Sequence, residues 1–288
     1  MNRFGDIDLD KIIGNLSNAS TVPKPLILDS DAVTPDNLHN MGLIIKGESR
    51  YIIAGEFPCS CAHGRIFKRV GSTPNAHPCP NCYQVVQGIR RIQRAHLPND
   101  AYDANLNDYI YDSERQNMIV IDMLSCTKPQ LPPSLFMHGK PGNGKSTISY
   151  ILARHLCMTG YKVKYLHHHD AFQKEKNTWG TNREYLNKIV DGVDVLIFDE
   201  FGGLGGRSKY SDWFTTTTIE LTKILYEKYK AGQLSIILMS NLTPKQIFKD
   251  LLDRNDAALS RLESMFGIPL EMTGPDRRPK RDQVSKWV

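Results

Sequence analysis

A chain of 288 residues holds one large domain or two of moderate size, and 40% hydrophobic content is enough to pack a core. No apolar run approaches bilayer length and the first six residues lack the charged-then-apolar start of a signal peptide, so a membrane or secreted protein is excluded as an expectation and a cytoplasmic one is expected. With 36 Lys and Arg against 31 Asp and Glu the net charge is +5, which is compatible with a nucleic-acid partner without demanding one.

Residues 1 to about 40 are acidic and irregular, with Ile7, Leu9, Ile12, Ile13 and Leu16 spaced to form one face of a short helix. Short β-type runs follow at Leu43 to Ile45 and Tyr51 to Ile53. Four of the six cysteines then cluster between 59 and 82. In a cytosolic chain such clustering argues for metal ligation and against disulfides. Cys79-Pro80-Asn81-Cys82 has the knuckle spacing that aims two thiolates at one tetrahedral metal, and Cys59-Ser60-Cys61 supplies two more. Cys59, Cys61, Cys79 and Cys82 therefore make the simplest structural Zn²⁺ site, with His63 or His77 as the alternative to one first-half cysteine. Cys126 and Cys157 stand apart as free thiols, Cys157 on a helix and buried.

Gln84 to Arg94 reads as a helix with an apolar seam and a basic face carrying Arg90, Arg91 and Arg94, either solvated or set against a phosphate backbone. Leu97-Pro98-Asn99-Asp100 ends it, and a Pro-rich stretch, 128–133, leads into the next unit. The division expected is an N-terminal unit over 1–95, a linker over 96–130 and a nucleotide-binding unit over 131–288.

From 134 the pattern alternates apolar strand and amphipathic helix. Strands are expected at 134–138, 162–167, 194–199, 234–240 and 268–272, and helices at 145–158, 181–190, 212–230 and 244–252. Alternation of this kind predicts an α/β fold, a mostly parallel sheet with helices on both faces. Between the first strand and helix lies Gly139-Lys140-Pro141-Gly142-Asn143-Gly144-Lys145-Ser146, a G-x-x-x-x-G-K-S phosphate loop, with Thr147 opening the helix. The amides of such a turn point at phosphates, and the helix N-terminus adds positive potential. Lys145 would reach the β- and γ-phosphates of a nucleoside triphosphate, and Ser146 would hold Mg²⁺.

Val195-Leu196-Ile197-Phe198 ends in Asp199 and Glu200, at the strand end where parallel sheets bind ligands. Asp199 would complete the Mg²⁺ shell, and Glu200 would act as general base on the attacking water. The next strand ends in Ser240-Asn241, and an amide there would orient the same water, with a simple turn as the competing reading. Arg261 could be lent to a neighbouring subunit, and Arg277 or Arg278 could reach the nucleotide of their own. Two segments are either solvated loops or candidate DNA contacts: the polar loop expected after the second strand, with Lys174, Lys176 and Arg183, and Gly202 to Lys209. His167-His168-His169 reads as polar residues at a strand end, since neighbours on a strand face opposite ways.

The order of Gly139 to Ser146, Asp199-Glu200-Phe201-Gly202, Ser211-Asp212-Trp213, Ser240-Asn241-Leu242 and Ser260-Arg261-Leu262 resembles that of AAA+ ATPases. It is most similar to the DnaC/DnaI-type replicative helicase loaders and their IstB-type transposition relatives. Arg94 to Pro98 resembles the segment before their ATPase core, and the Cys-rich N-terminal part resembles the loaders' zinc-bearing docking domain. The resemblance implies that Asn241 is the sensor-1 residue, Arg261 an arginine finger acting in trans, and Arg277 the sensor-2 arginine. It implies an ATPase that self-associates through its ATP sites and loads a DnaB-type hexameric helicase onto single-stranded DNA, nucleoid-associated when so bound. The alternative is an IstB-like ATPase that helps a transposase choose its target DNA.

Overall fold

The structure, a computed structural model, describes residues 44–46, 51–53, 65–70, 73–78, 83–102, 104, 106, 109–177, 184–203 and 210–277. Two antiparallel pairs come first: β1 (Ile44–Lys46) with β2 (Tyr51–Ile53), and β3 (Arg65–Val70) with β4 (Thr73–Pro78). Helix α1 (Tyr83–Arg94), a short 3₁₀ turn (Asn99–Tyr102) and α2 (Glu114–Ser125) lead into β5 (Leu135–Gly139). The remainder runs α3 (Lys145–Met158), β6 (Val163–His167), α4 (His168–Asn177), α5 (Glu184–Val190), β7 (Val195–Asp199) and α6 (Asp212–Lys230). It closes with β8 (Ser235–Ser240), α7 (Pro244–Gln246) continued by a π-helical turn (Ile247–Leu251), α8 (Asp256–Phe266) and β9 (Leu270–Met272).

Strands β5 to β9 form one all-parallel sheet in the order β6-β7-β8-β5-β9. Strands β7 and β8 are buried along their whole length, as continuous apolar runs must be when helices cover both faces of a sheet. Side chains alternate across each strand, so successive residues feed two separate cores. Ile197, Ile237 and Met239 pack with α1, α2 and α3, and Leu196, Phe198, Ile236 and Leu238 pack with the helices of the opposite face. All five expected strands are present within a residue or two, and the helices at 145–158 and 212–230 have the bounds the periodicity predicts.

Local chemistry sets the helix ends. Ser211 caps α6 by accepting from the Phe214 amide, and Asn255 caps α8 by accepting from Ala258. Thr243 and Gln246 form a reciprocal capping box with Pro244 at the first helical position. The expected polar loop after the second strand is a correction: residues 168–177 are helical. This stretch has neither Gly nor Pro, and Gln173 to Lys176 are good helix formers.

Helix α1 and the segment after it are built into the face of the sheet that α3 covers. Val86, Ile89, Ile92, Ala95, Leu97, Ala101 and Tyr102 are buried in the same core as Ile148, Leu152 and Leu156 of α3. Arg154 of α3, 2% exposed, donates to the carbonyls of Ala101 at 2.7 Å, Tyr102 at 3.0 Å and Ala104. A buried guanidinium is tolerable only when carbonyl dipoles replace its lost water. No helix among the described residues is long and apolar enough to cross a membrane. Replacing Arg154 with Met, which fills a similar volume but donates nothing, should lower stability by about 2–4 kcal/mol, read as a shifted urea midpoint. A midpoint within about 0.5 kcal/mol of wild type would show that those carbonyls find other partners.

Candidate functional site

The loop between β5 and α3 is tight enough to exclude side chains at its glycines. Gly142 (φ 82°) and Gly144 (φ 91°) occupy the left-handed region that Cβ-bearing residues avoid. A Cβ on Gly142 would lie 2.0 Å from Asp276, and one on Gly144 would lie 3.0 Å from the Arg277 guanidinium. Lys145, 7% exposed, donates to the Gly139 carbonyl (2.7 Å), the Lys140 carbonyl (2.8 Å) and Asn143 Oδ1 (3.0 Å). Burial pulls its ammonium down to about 8, against the upward pull of Asp199. Asn143 is buried and ties the loop to β9 by donating from Nδ2 to the Met272 carbonyl at 2.6 Å.

Asp199, at the end of β7, faces this loop. Its Oδ2 accepts from Ser146 Oγ at 3.3 Å and from the Tyr165 hydroxyl, and its Oδ1 accepts from the Glu200 amide at 2.7 Å. Burial and the neighbouring Asp199 carboxylate raise the Tyr165 phenol far above its ordinary range, so it is a fixed donor. Glu200 is exposed and has φ 54°, an uncommon conformation for a residue with a side chain. The turn is fixed by bonds from the Phe201 amide to the Met239 carbonyl (2.8 Å) and from the Gly203 amide to the Glu200 carbonyl (2.7 Å). His167 Nδ1 lies 4.0 Å from Glu200 Oε2.

The three consecutive histidines divide differently from the expectation. His167 ends β6, and His168 opens α4 with 0% exposure. The Gly202 amide donates to His168 Nδ1 at 2.9 Å, which assigns the ring proton to Nε2. The ring stacks on Phe201 and meets Phe172, Phe198 and Phe214. His168 thus fixes the turn that carries Glu200, a role its sequence neighbours conceal. The one available signal was the aromatic density around it.

Pro141 to Thr147, Asp199, Glu200, Asn241 and Arg277 line a single cleft of about 520 Å³. Gly139 and Lys140 serve behind it, through the carbonyls that Lys145 meets. Arg277 donates to Asp112, lies over the Tyr109 ring at 5.2 Å and joins its own amide to the Gly142 carbonyl at 2.8 Å. Asp100, Ala104, Tyr150 and Ser240 complete the lining, and the sequence reading did not anticipate them. Arg261 is half-buried on α8 and does not line the cleft. Cys59, Cys61, Cys79, Cys82 and His63 lie outside the described residues, as do Arg183, Leu204 to Lys209, Arg278 and the side chains of Lys174 and Lys176. His77 lies on β4 and is exposed. Among the described residues no group of three or more His, Cys, Asp or Glu is placed to hold a metal. Cys126 and Cys157 are free, and burial pushes the Cys157 thiol up to about 12.

The donor set suits a nucleoside triphosphate with a hard divalent cation. Glycines leave the loop backbone approachable, a lysine and an arginine supply positive charge, and a hydroxyl and a carboxylate 3.3 Å apart offer the oxygen ligands that Mg²⁺ prefers.

A family model described as IstB-like ATP binding protein matches residues 87–264. No curated protein matches the chain. Among solved structures, the crystal structure of DnaI aligns with a TM-score of 0.49 at 19% identity, covering 64% of this chain and 95% of that one. A candidate primosome component from Streptococcus pyogenes serotype M3 aligns with 0.49 at 17% identity, covering 64% and 93%. The DnaC helicase loader aligns with 0.47 at 20% identity, covering 60% and 98%.

Burial drives the His168 imidazole down to about 3, whereas an ordinary histidine titrates near 6.5. Between those values the unfolded chain binds the proton and the folded chain does not, so stability should fall as pH drops from about 6.5 toward 3. His168→Phe should cost about 1 kcal/mol at pH 8 through the lost Gly202 bond, yet flatten that decline. An unchanged slope in denaturation midpoints from pH 7 to 4 would assign the proton uptake elsewhere.

Proposed function

The chain belongs to the IstB-like ATP-binding family, and from that premise we propose that it hydrolyses ATP to load a hexameric replicative helicase onto single-stranded DNA. One observation carries the ATPase half: Asp199 lies 3.3 Å from the hydroxyl of Ser146, and Glu200 follows it in the same cleft. Ser146 and Asp199 would hold Mg²⁺, which neutralises charge on phosphate oxygens when bound. Lys145 and the loop amides bind the phosphates, and Arg277 stands by with a second positive charge. Glu200 accepts the proton of the water that attacks the γ-phosphorus, and Asn241 orients that water. Arg261, outside its own cleft, supplies the missing cation to a neighbour's, so turnover belongs to an assembly.

The loading half is supported by the motif order, which resembles that of the DnaC/DnaI-type loaders. In this reading the residues before α1 dock the DnaB-type helicase, with Zn²⁺ on Cys59, Cys61, Cys79 and Cys82 bracing the fold, and the parallel sheet with the helices packed on it, α1 included, is the motor. The family description favours a second reading, in which the same motor serves a transposase in choosing target DNA.

Lys145→Ala should abolish nucleotide binding. Glu200→Gln should keep it and cut turnover by about 10²–10⁴. Arg261→Ala should leave binding intact and reduce turnover of the assembly by about 10³ or more, so unchanged turnover would remove the finger role. The two partner readings separate in a reconstitution with ATP and single-stranded DNA. The loader reading expects a replicative helicase to be captured and transferred to DNA, and capture of a transposase alone would sink it.

A further inference from the structure

A second cleft, of about 480 Å³, shares no residue with the nucleotide cleft and is lined by Arg90, Arg91, Arg94, His96, Lys162 and Lys164. Its floor includes Val163 and Val193, at the N-terminal ends of β6 and β7. Asp199 ends β7 six residues beyond Val193, so the two clefts sit at opposite ends of the parallel sheet, about 20 Å apart at the rise of an extended strand.

Among the described residues no carboxylate lines this cleft. The two acids nearest in sequence are already engaged: Asp194 pairs with Lys128 at 2.6 Å and accepts from the Lys162 amide at 2.7 Å, and Asp191 pairs with Lys228 at 3.2 Å. The cleft's cations therefore keep their field. Arg91 donates to the Cys157 carbonyl at 3.1 Å and Lys164 to the Ile189 carbonyl at 3.2 Å, which orients two of the cationic side chains. Arg90, Arg94 and Lys162 form no ion pair with a described carboxylate.

The cations stand in two rows. Arg90 and Arg94 are one helical turn apart on α1, about 6 Å along its axis. Lys162 and Lys164 project to one side of the edge strand, about 6.6 Å apart. Between the rows His96 adopts φ 57°, unfavourable for a residue with a Cβ, while the Tyr165 amide donates to the Ala95 carbonyl at 2.8 Å. That bend keeps the end of α1 alongside β6. Apart from the exposed His96, no aromatic ring among the described residues lines the cleft as a platform for stacking bases, whereas guanidinium forks are suited to phosphate oxygens.

We propose that this groove holds the sugar–phosphate backbone of a nucleic acid without reading its sequence. The inference rests on the proposed function only in taking a nucleic acid as the polyanion that the protein meets.

The test uses the full chain with a non-hydrolysable ATP analogue. Binding of a labelled single strand of mixed sequence, and separately of its duplex, is followed by fluorescence anisotropy from about 50 to 200 mM salt. Each lost phosphate contact lowers the slope of log K against log salt by about 0.7 for a single strand and 0.9 for a duplex. The triple variant Arg90→Gln, Arg94→Gln, Lys162→Gln should therefore lose about 2–3 units of slope and at least about tenfold in affinity, with nucleotide binding unchanged. Whichever polymer shows the loss is the one the groove takes. The charge-preserving set Arg90→Lys, Arg94→Lys, Lys162→Arg should keep the slope. An unaltered slope in the glutamine variant overturns the inference and leaves helicase loading standing. So does equal displacement of the oligonucleotide by polyglutamate of matched charge. A wild-type chain that hydrolyses ATP yet binds neither polymer overturns the groove and the loader reading together.

Discussion

The carboxylate of Asp199 is where three elements of the chain meet. One oxygen accepts from Ser146, on the first turn of α3, and from the Tyr165 hydroxyl on β6. The other takes the amide of Glu200 and so starts the turn that carries the next acid outward. A buried carboxylate, 6% exposed, needs donors to replace water, and each donor here comes from a different element. The site's register is thus fixed by the solvation of one anion. Strand order adds to this: β8 lies between β5 and β7, so Asn241 emerges between the loop and the acids.

The wall of the cleft opposite β7 comes from parts of the chain that look unremarkable in sequence. Gln116, 1% exposed, donates to the Tyr109 hydroxyl at 2.6 Å and to Met272 Sδ at 3.4 Å, while its carbonyl oxygen accepts from the Asp112 amide at 2.7 Å. This side chain joins α2, the tyrosine under Arg277 and the last strand. Burial raises the Tyr109 phenol to about 12, against the lowering effect of Arg277, so it stays a neutral ring beneath the guanidinium. The Arg277 amide in turn bonds the phosphate loop. Residues far apart in the chain, 109 to 116 and 272 to 277, therefore shape the loop from outside.

Most of the parallel sheet was legible because strands buried on both faces must be apolar without interruption, and that pattern survives in bare sequence. The phosphate loop and the Asp199–Glu200 pair were legible for a related reason, since their chemistry admits few residue types at those spacings. Helix α2 escaped because its buried stripe begins with Gln116 and only then continues through Val120, Met123 and Leu124. Helix α4 escaped because its first three residues are polar and its key residue is a histidine whose value lies in burial. The apolar spacing of Ala258, Leu262, Met265 and Phe266 in α8 is present in the sequence, with Arg261 standing inside that pattern. Arg154 could not be read at all, because a cation that solvates a backbone turn looks like any other helix arginine. The division at residue 95 was drawn on a proline and a change of composition, and neither reveals that α1 shares its core with α3.

Parallel sheets end in strands whose outward amides and carbonyls can recruit another chain's strand and template aggregation. Along one border here the Tyr165 amide is occupied by Ala95, and the bend at His96 lays the end of α1 beside the strand. The opposite border, β9, is three residues long. Copies crowded together at high local density would thus find little to zip onto at either border, leaving their contacts to side chains.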